Sequence, residues 1–304
     1  MLALSSSWRS DRISDGEALV EALDGFDISR VELEYRINYQ TYAQMRPALR
    51  ESGLNVVSVH NFFPIPPIRP KAPGSGDFFL LSSPDKEERR LAVDWTQKSL
   101  EHASDLEARA VVLHCGRVEM EPEIERLHRF YETGRIESEE AQAFLREKLE
   151  EREKSKGPCF DSLLLSLDRL LPAAERLGVV LALENRYHYH QLPALDEFEI
   201  IFEEFRGGPL GYWYDTGHAH ANEVLGVVPR GELLQKYAAR LVGVHLHDAR
   251  GLNDHQAPGT GDIDFDSLEE HLKDDTLRVI ELEPSVNEEQ VREGIRFLRE
   301  KGIA

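Results

Sequence analysis

Eight short runs rich in apolar and β-branched residues recur along the chain, with room for a helix before each one after the first. They are "LALSSS" (2–7), "RVELEYR" (30–36), "NVVSVHN" (55–61), "AVVLHCG" (110–116), "VVLALENR" (179–186), "LGYWYDT" (210–216), "LVGVHLHD" (241–248) and "RVIELEP" (278–284). Between them the apolar positions shift to helical spacing, in 15–26, 42–53, 83–108, 160–178 and 287–302. The stretch from 83 opens on Ser83-Pro84, a helix start signal. Alternating strands and helices predict a parallel sheet. Eight such units predict a (β/α)₈ TIM barrel spanning 1–304 as one α/β domain. A doubly wound open sheet would normally carry a Gly-rich phosphate turn after an early strand. Neither GxGxxG nor GxxxxGK[ST] occurs.

Two segments interrupt the alternation. Residues 62–82, rich in Pro, Gly and Phe, are too apolar for a linker and predict a loop or lid over the barrel mouth, with Phe62, Phe63, Phe78 and Phe79 excluding water. Residues 117–157 predict a charged, solvent-exposed helical insertion after the fourth strand.

The polar residues concentrate at one end of the predicted strands. Glu34, His60, His114, Glu184, Asp215 with His218, His245 with His247, and Glu281 with Glu283 all fall at or just past strand C-termini. Barrel active sites form there. Closing the barrel brings these carboxylates and imidazoles together, and a divalent cation is the simplest way to reconcile them. Mixed Glu/Asp/His donors suit Zn, Mn or Co, and Mg less well. Strand alternation puts His245 and His247 on one face, and likewise Glu281 and Glu283, so spacing alone does not choose within either pair. Trp8, at the end of the first strand, is placed to stack on a ligand or to pack the barrel. His188 and His190 read as a polar loop.

Charge narrows the partners. The chain has 36 basic and 56 acidic residues, a net charge of −20, and no dense Lys/Arg cluster, so no nucleic acid partner is expected. No run approaches the about 18 apolar residues of a membrane span, and the N-terminus lacks a signal peptide's apolar segment. The only cysteines, Cys115 and Cys159, suggest no disulfide framework, and a cytoplasmic location is expected.

The stretches "LALENRY", "YDTGHAH", "VGVHLHDARGLNDHQAPGTGDIDF" and "VIELEP" resemble the xylose isomerase-like TIM-barrel superfamily, which holds sugar and sugar-phosphate isomerases and epimerases together with endonuclease IV-type enzymes. The resemblance implies a metal site of Glu184, Asp215, His245 and Glu281, with Glu184 and Glu281 moving a proton through an enediolate. It implies substrate contacts from His218, and Trp8, His60, His114, His255 and Arg250 are the further candidates, with Arg186 a nearby cation for a phosphate. It also allows a homo-oligomer. The nuclease branch uses histidines like His60 and His114 for a second metal, with His247 and Glu283 as alternative ligands here. Its third metal needs an Asp-x-His pair, and the chain has Asn253 before His255. Three readings follow: a metal-dependent sugar isomerase or epimerase acting on a small molecule, a multi-zinc phosphodiester hydrolase, and a barrel that binds metal or ligand without catalysis.

Overall fold

In the computed structural model, which describes residues 1–68 and 74–304, the chain begins with β1 (Leu2–Ser5), β2 (Arg30–Leu33), β3 (Asn55–His60) and β4 (Ala110–Leu113). It continues with β5 (Val180–Glu184), β6 (Leu210–Asp215) and β7 (Leu241–Leu246), then a small hairpin of β8 (Asp248–Arg250) and β9 (Asn253–Gln256), and ends its strands with β10 (Leu277–Ile280). β1 to β7 and β10 close a parallel barrel in the order β1-β10-β7-β6-β5-β4-β3-β2. Each barrel strand stops sooner than its apolar pattern does. The hairpin is absent from the sequence reading.

The helices are α1 (Gly16–Asp24), α2 (Tyr39–Ser52), α3 (Lys86–Asp105), α4 (Ile124–Glu132), α5 (Glu139–Ser155), α6 (Gly157–Leu177), α7 (Leu195–Glu204), α8 (Thr216–Val224), α9 (Glu232–Tyr237), α10 (Phe265–Glu269) and α11 (Glu288–Glu300). Side-chain caps explain many of their starts: Asp15, Asn38, Asp85, Ser138, Asp264 and Asn287 each accept a first-turn N–H. Gly53 and Gly178 end α2 and α6 in the left-handed region, which costs glycine least. Among the described residues no helix is long and apolar enough to cross a membrane.

The barrel interior is plugged by Trp213. Its indole is packed among small residues of other strands, Ala3, Ala110 and Ala182, with Val112, Leu277 and Val279. On β7, a Cβ at Gly243 would lie 2.2 Å from the indole, so glycine there makes room for it.

Both insertions differ from expectation. The charged segment 117–157 is helical, as α4 and α5. It is not simply solvated, because Leu127, Phe130, Phe144 and Leu145 bury one face together with Tyr189 and Leu225. Arg152 is buried in a bidentate pair with Glu197 (2.6 and 2.9 Å). In the 62–82 loop, of which 69–73 lie outside the described residues, the four Phe are buried in the core. Phe63 packs edge-on against Tyr42 of α2 and His102 of α3, and Phe62 against Phe79. The aromatic side chains therefore wedge the loop into the fold; among the described residues, Gly76 and Asp77 reach His114 at the barrel mouth.

Candidate metal centre and active site

The site begins one layer below the strand ends. Ser5 of β1 and Ser58 of β3 are register partners of Glu32 on β2. Both hydroxyls donate to the Glu32 carboxylate, at 3.0 and 2.7 Å. The same carboxylate accepts from His245 Nε2 on β7, across the barrel, at 3.1 Å. With Nε2 committed to Glu32, His245 Nδ1 faces the mouth. There it lies 2.7 Å from Glu184 Oε1, 2.9 Å from Glu281 Oε2 and 3.6 Å from Asp215 Oδ2. One donor atom from each of these four residues falls within 4.8 Å of the others, and all four are buried.

Asp215 does two things at once. It caps α8, accepting from His218 N–H at 2.7 Å through Oδ1, while Oδ2 faces His245. Its carboxylate also accepts from His247 Nε2 at 3.0 Å, and His247 Nδ1 in turn accepts the His255 N–H at 2.8 Å.

Burial alone would raise the carboxyl groups, yet each ends well below its ordinary range. For Glu184 the opposing causes are hydrogen bonds from His114 and His245 and the Arg186 charge; for Asp215, His218 and His247; for Glu281, His245 and His255. Burial pushes His245 down, but Glu281 and Glu32 outweigh it and hold the imidazole well above its usual range. Three ionised carboxylates around one imidazole nitrogen, with the other nitrogen anchored on Glu32, form a donor set that fits a divalent cation.

Two further groups flank this centre. His60, His114 and Glu184 offer three atoms within 4.8 Å of one another. His114 Nε2 is 3.0 Å from Glu184 Oε2, and His60 Nε2 is 4.0 Å from it. Arg186, however, already binds Glu184 Oε2 through its guanidinium and approaches Asp77 at 3.8 Å. Asp77 also lies 3.5 Å from His114 Nδ1. On the other side, His218, Asp254 and His255 form a third group, with His255 Nδ1 3.1 Å and His218 Nε2 3.9 Å from Asp254 Oδ2. Where the resemblance calls for an Asp the chain has Asn253, and the β8–β9 hairpin brings the neighbouring Asp254 to this group. His255 sits at φ +56°, a rare conformation for a residue with a Cβ.

Several sequence candidates fall elsewhere. Trp8 is buried, donates from Nε1 to Val286 O at 2.7 Å and packs edge-on against Phe26. A 3₁₀ turn at Ser6–Trp8 carries the indole away from the mouth, so it does not stack on a ligand there. Arg250 is exposed, and its guanidinium donates to Thr260 O at 2.7 Å. Glu283 accepts from Gln256 and Ser285, at 2.7 and 2.6 Å, while Glu281 points into the cluster. Glu34, the strand-end carboxylate on β2, is pushed up to about 7, mainly by burial, and accepts from Ser10 and Arg36. Glu32 is the residue the sequence reading passed over, although it shares a face with Glu34.

A family model for the xylose isomerase-like TIM barrel matches residues 18–301. The chain belongs to this family. Among solved structures it resembles a D-tagatose 3-epimerase-like protein (TM-score 0.68, 19% identity, 99% of this chain and 96% of that one). It also resembles a 3-keto-D-glucoside 4-epimerase from E. coli (0.66, 16%, 98% of each) and an IOLI protein with a bound zinc atom (0.66, 14%, 99% and 96%). At these identities the likeness shows the fold. Two uncharacterized proteins of Methanocaldococcus jannaschii, MJ1614 and MJ1311, are each 25% identical, over 67% and 61% of this chain. The matches span 66% and 54% of those relatives' lengths.

Proposed function

We propose that this chain is a sugar or sugar-phosphate isomerase or epimerase that works with one divalent cation held by Glu184, Asp215, His245 and Glu281. The observation that carries the reading is the approach of Glu184 and Glu281, from barrel strands that are not neighbours, to the same His245 nitrogen at 2.7 and 2.9 Å. When bound by these four residues, a Zn, Mn or Co ion would supply Lewis acidity toward a substrate carbonyl. One of the two glutamates removes the proton from the carbon beside that carbonyl, leaving an enediolate. The other, having taken up a proton from solvent, delivers it to the opposite face, giving the epimer, or to the neighbouring carbon, giving the isomer, and the first glutamate releases its proton to solvent. His218, His60, His114 and His255 ring the centre and hydrogen-bond substrate oxygens. The sugar epimerases among the solved structures of this fold support the same chemistry.

The test is solvent exchange. Metal-loaded protein incubated with a series of ketoses in D₂O is followed by proton NMR. Loss of the signal from the proton beside the carbonyl, abolished by Glu281→Gln, is expected. No exchange with any ketose, at full metal occupancy, counts against the reading.

One observation favours a second reading, a multi-zinc phosphodiester hydrolase. The His60/His114/Glu184 and His218/Asp254/His255 groups each hold three donors within 4.8 Å. Elemental analysis separates the two: about one metal per chain supports the first, two or three zinc per chain the second.

A further inference from the structure

Outside the cluster lies a row of three imidazoles that the proposed chemistry does not use. His128 comes from α4, in the helical insertion, and His188 and His190 from the loop that follows β5. The His188 ring is 5.9 Å from that of His128 and 5.8 Å from that of His190, with interplanar angles of 33° and 24°. Tyr187 joins this row to the centre. Its ring lies 5.8 Å from His218, 4.8 Å from His188 and 6.1 Å from His128, and its hydroxyl is fixed on Leu252 O at 2.6 Å.

Among the described residues, no ring nitrogen of these three histidines has a hydrogen-bonding partner. Two of them, His128 Nε2 and His190 Nδ1, are buried without one, and His190 is 9% exposed. Buried imidazole nitrogens usually find partners, so these two, on either side of His188, call for an explanation. The nitrogens do not converge closely enough to form a metal group like the three described above.

We propose that His128, His188 and His190 form a subsite for the uncharged hydroxyl groups at the end of the substrate remote from the carbonyl. The proposal rests on the isomerase/epimerase reading and deepens it, naming a neutral polyhydroxylated substrate in place of a sugar phosphate. A neutral imidazole both donates and accepts, which matches the two roles of a sugar hydroxyl. Burial keeps the row neutral, holding His188 and His190 down to about 4. The two buried cations nearby already have carboxylate partners: Arg186 is spent on Glu184 and Asp77, and Arg152 on Glu197.

The test combines calorimetric binding of D-fructose and of fructose 6-phosphate with the D₂O exchange assay, on metal-loaded protein. In the wild type, fructose is expected to bind more tightly than its phosphate. His188→Phe and His190→Phe keep a ring of similar size but remove the nitrogens. Each should weaken fructose binding by on the order of five- to tenfold, the worth of one hydrogen bond. His188→Asn, which restores a donor and an acceptor, should recover part of the loss. His102→Gln, an imidazole change on the outer helix layer, should leave affinity as it is. Weakened binding in the Phe variants without exchange in any of the proteins would keep the subsite and remove the epimerase reading. Unchanged binding in the Phe variants would overturn the subsite whether or not exchange occurs. Tighter binding of fructose 6-phosphate would assign the row to a phosphate and overturn it as well, and no binding of either sugar would overturn both readings.

Discussion

Glu32 and His245 meet across the barrel, carboxylate to Nε2 at 3.1 Å, and this contact decides which nitrogen of His245 faces the mouth. Glu32 is itself fixed by Ser5 and Ser58, so the imidazole is oriented by a chain of hydrogen bonds that crosses strands β1, β2, β3 and β7. Such partners typically contribute about 10–100-fold to metal affinity. Glu32→Gln keeps the shape but removes the charge and offers an amide that can present its N–H₂ to Nε2. The expected outcome is a loss of metal affinity in that range with the fold retained. Competition with a chelator of known affinity measures it, beside circular dichroism. Unchanged affinity would show that His245 orients itself without Glu32.

Gly243 and Trp213 make a second coupled pair. The indole lies 5.0 Å from the His245 ring, so the residue that plugs the barrel also supports the site. A methyl at position 243 would have to displace the indole or the strand, since the gap is 2.2 Å. Overpacking of this kind costs about 1–3 kcal/mol. Gly243→Ala should lower the urea midpoint accordingly and weaken metal binding, because the displaced indole packs edge-on against the His245 ring. A midpoint equal to the wild type's would mean that the barrel interior accommodates the methyl.

Much of this arrangement was legible in the sequence, and the failures have physical causes. The eight strands could be read because both faces of a parallel strand are buried, which leaves long apolar runs. Glu184, Asp215, His245 and Glu281 could be placed in one region because they end such runs. Glu32 was missed because it lies inside a strand, between Val31 and Leu33, where a charge is unexpected. The signal was its two-residue spacing from Glu34. Asp254 was missed because a one-position shift in a hairpin depends on its twist, which composition does not encode. Trp8 misled because the turn after β1 rotates the chain at the strand end. The four Phe of the 62–82 loop were read as a cover because an apolar loop can pack inward as readily as over a mouth.

The unpartnered histidine row also predicts acid sensitivity. His188 and His190 are each held down to about 4, first by burial; neighbouring imidazoles act on His188, and Arg117 with Arg152 on His190. In the unfolded chain both titrate near their ordinary value of about 6.5. Between these limits the unfolded state binds more protons, so their contribution is complete above about pH 6.5 and falls as pH drops toward 4. Glu34, pushed up to about 7, works in the opposite sense: its contribution is present at low pH and is lost as pH rises to 7. Comparing wild type with the His188→Asn/His190→Asn double variant removes that background. In chelated protein, the urea midpoint of the wild type should fall more between pH 7 and pH 5 than that of the variant. Equal falls would mean that the row titrates normally in the folded state.

The last prediction concerns how many cations the mouth accepts. Glu184 has two oxygens with different company: Oε1 faces His245, whereas Oε2 faces His114, His60 and the Arg186 guanidinium. A second cation on His60, His114 and Glu184 would have to share Oε2 with a buried positive charge, which is costly in a site closed from water. Arg186 therefore acts as a resident cation and argues for a single metal. Arg186→Met keeps much of the side chain's bulk and removes the charge. With excess zinc, the bound metal should rise from about one per chain in the wild type to about two in the variant. Adding His114→Ala should return it to about one, because the second group then lacks a ligand. Two zinc per chain in the wild type itself would show that Arg186 moves aside, and would shift the balance toward the hydrolase reading.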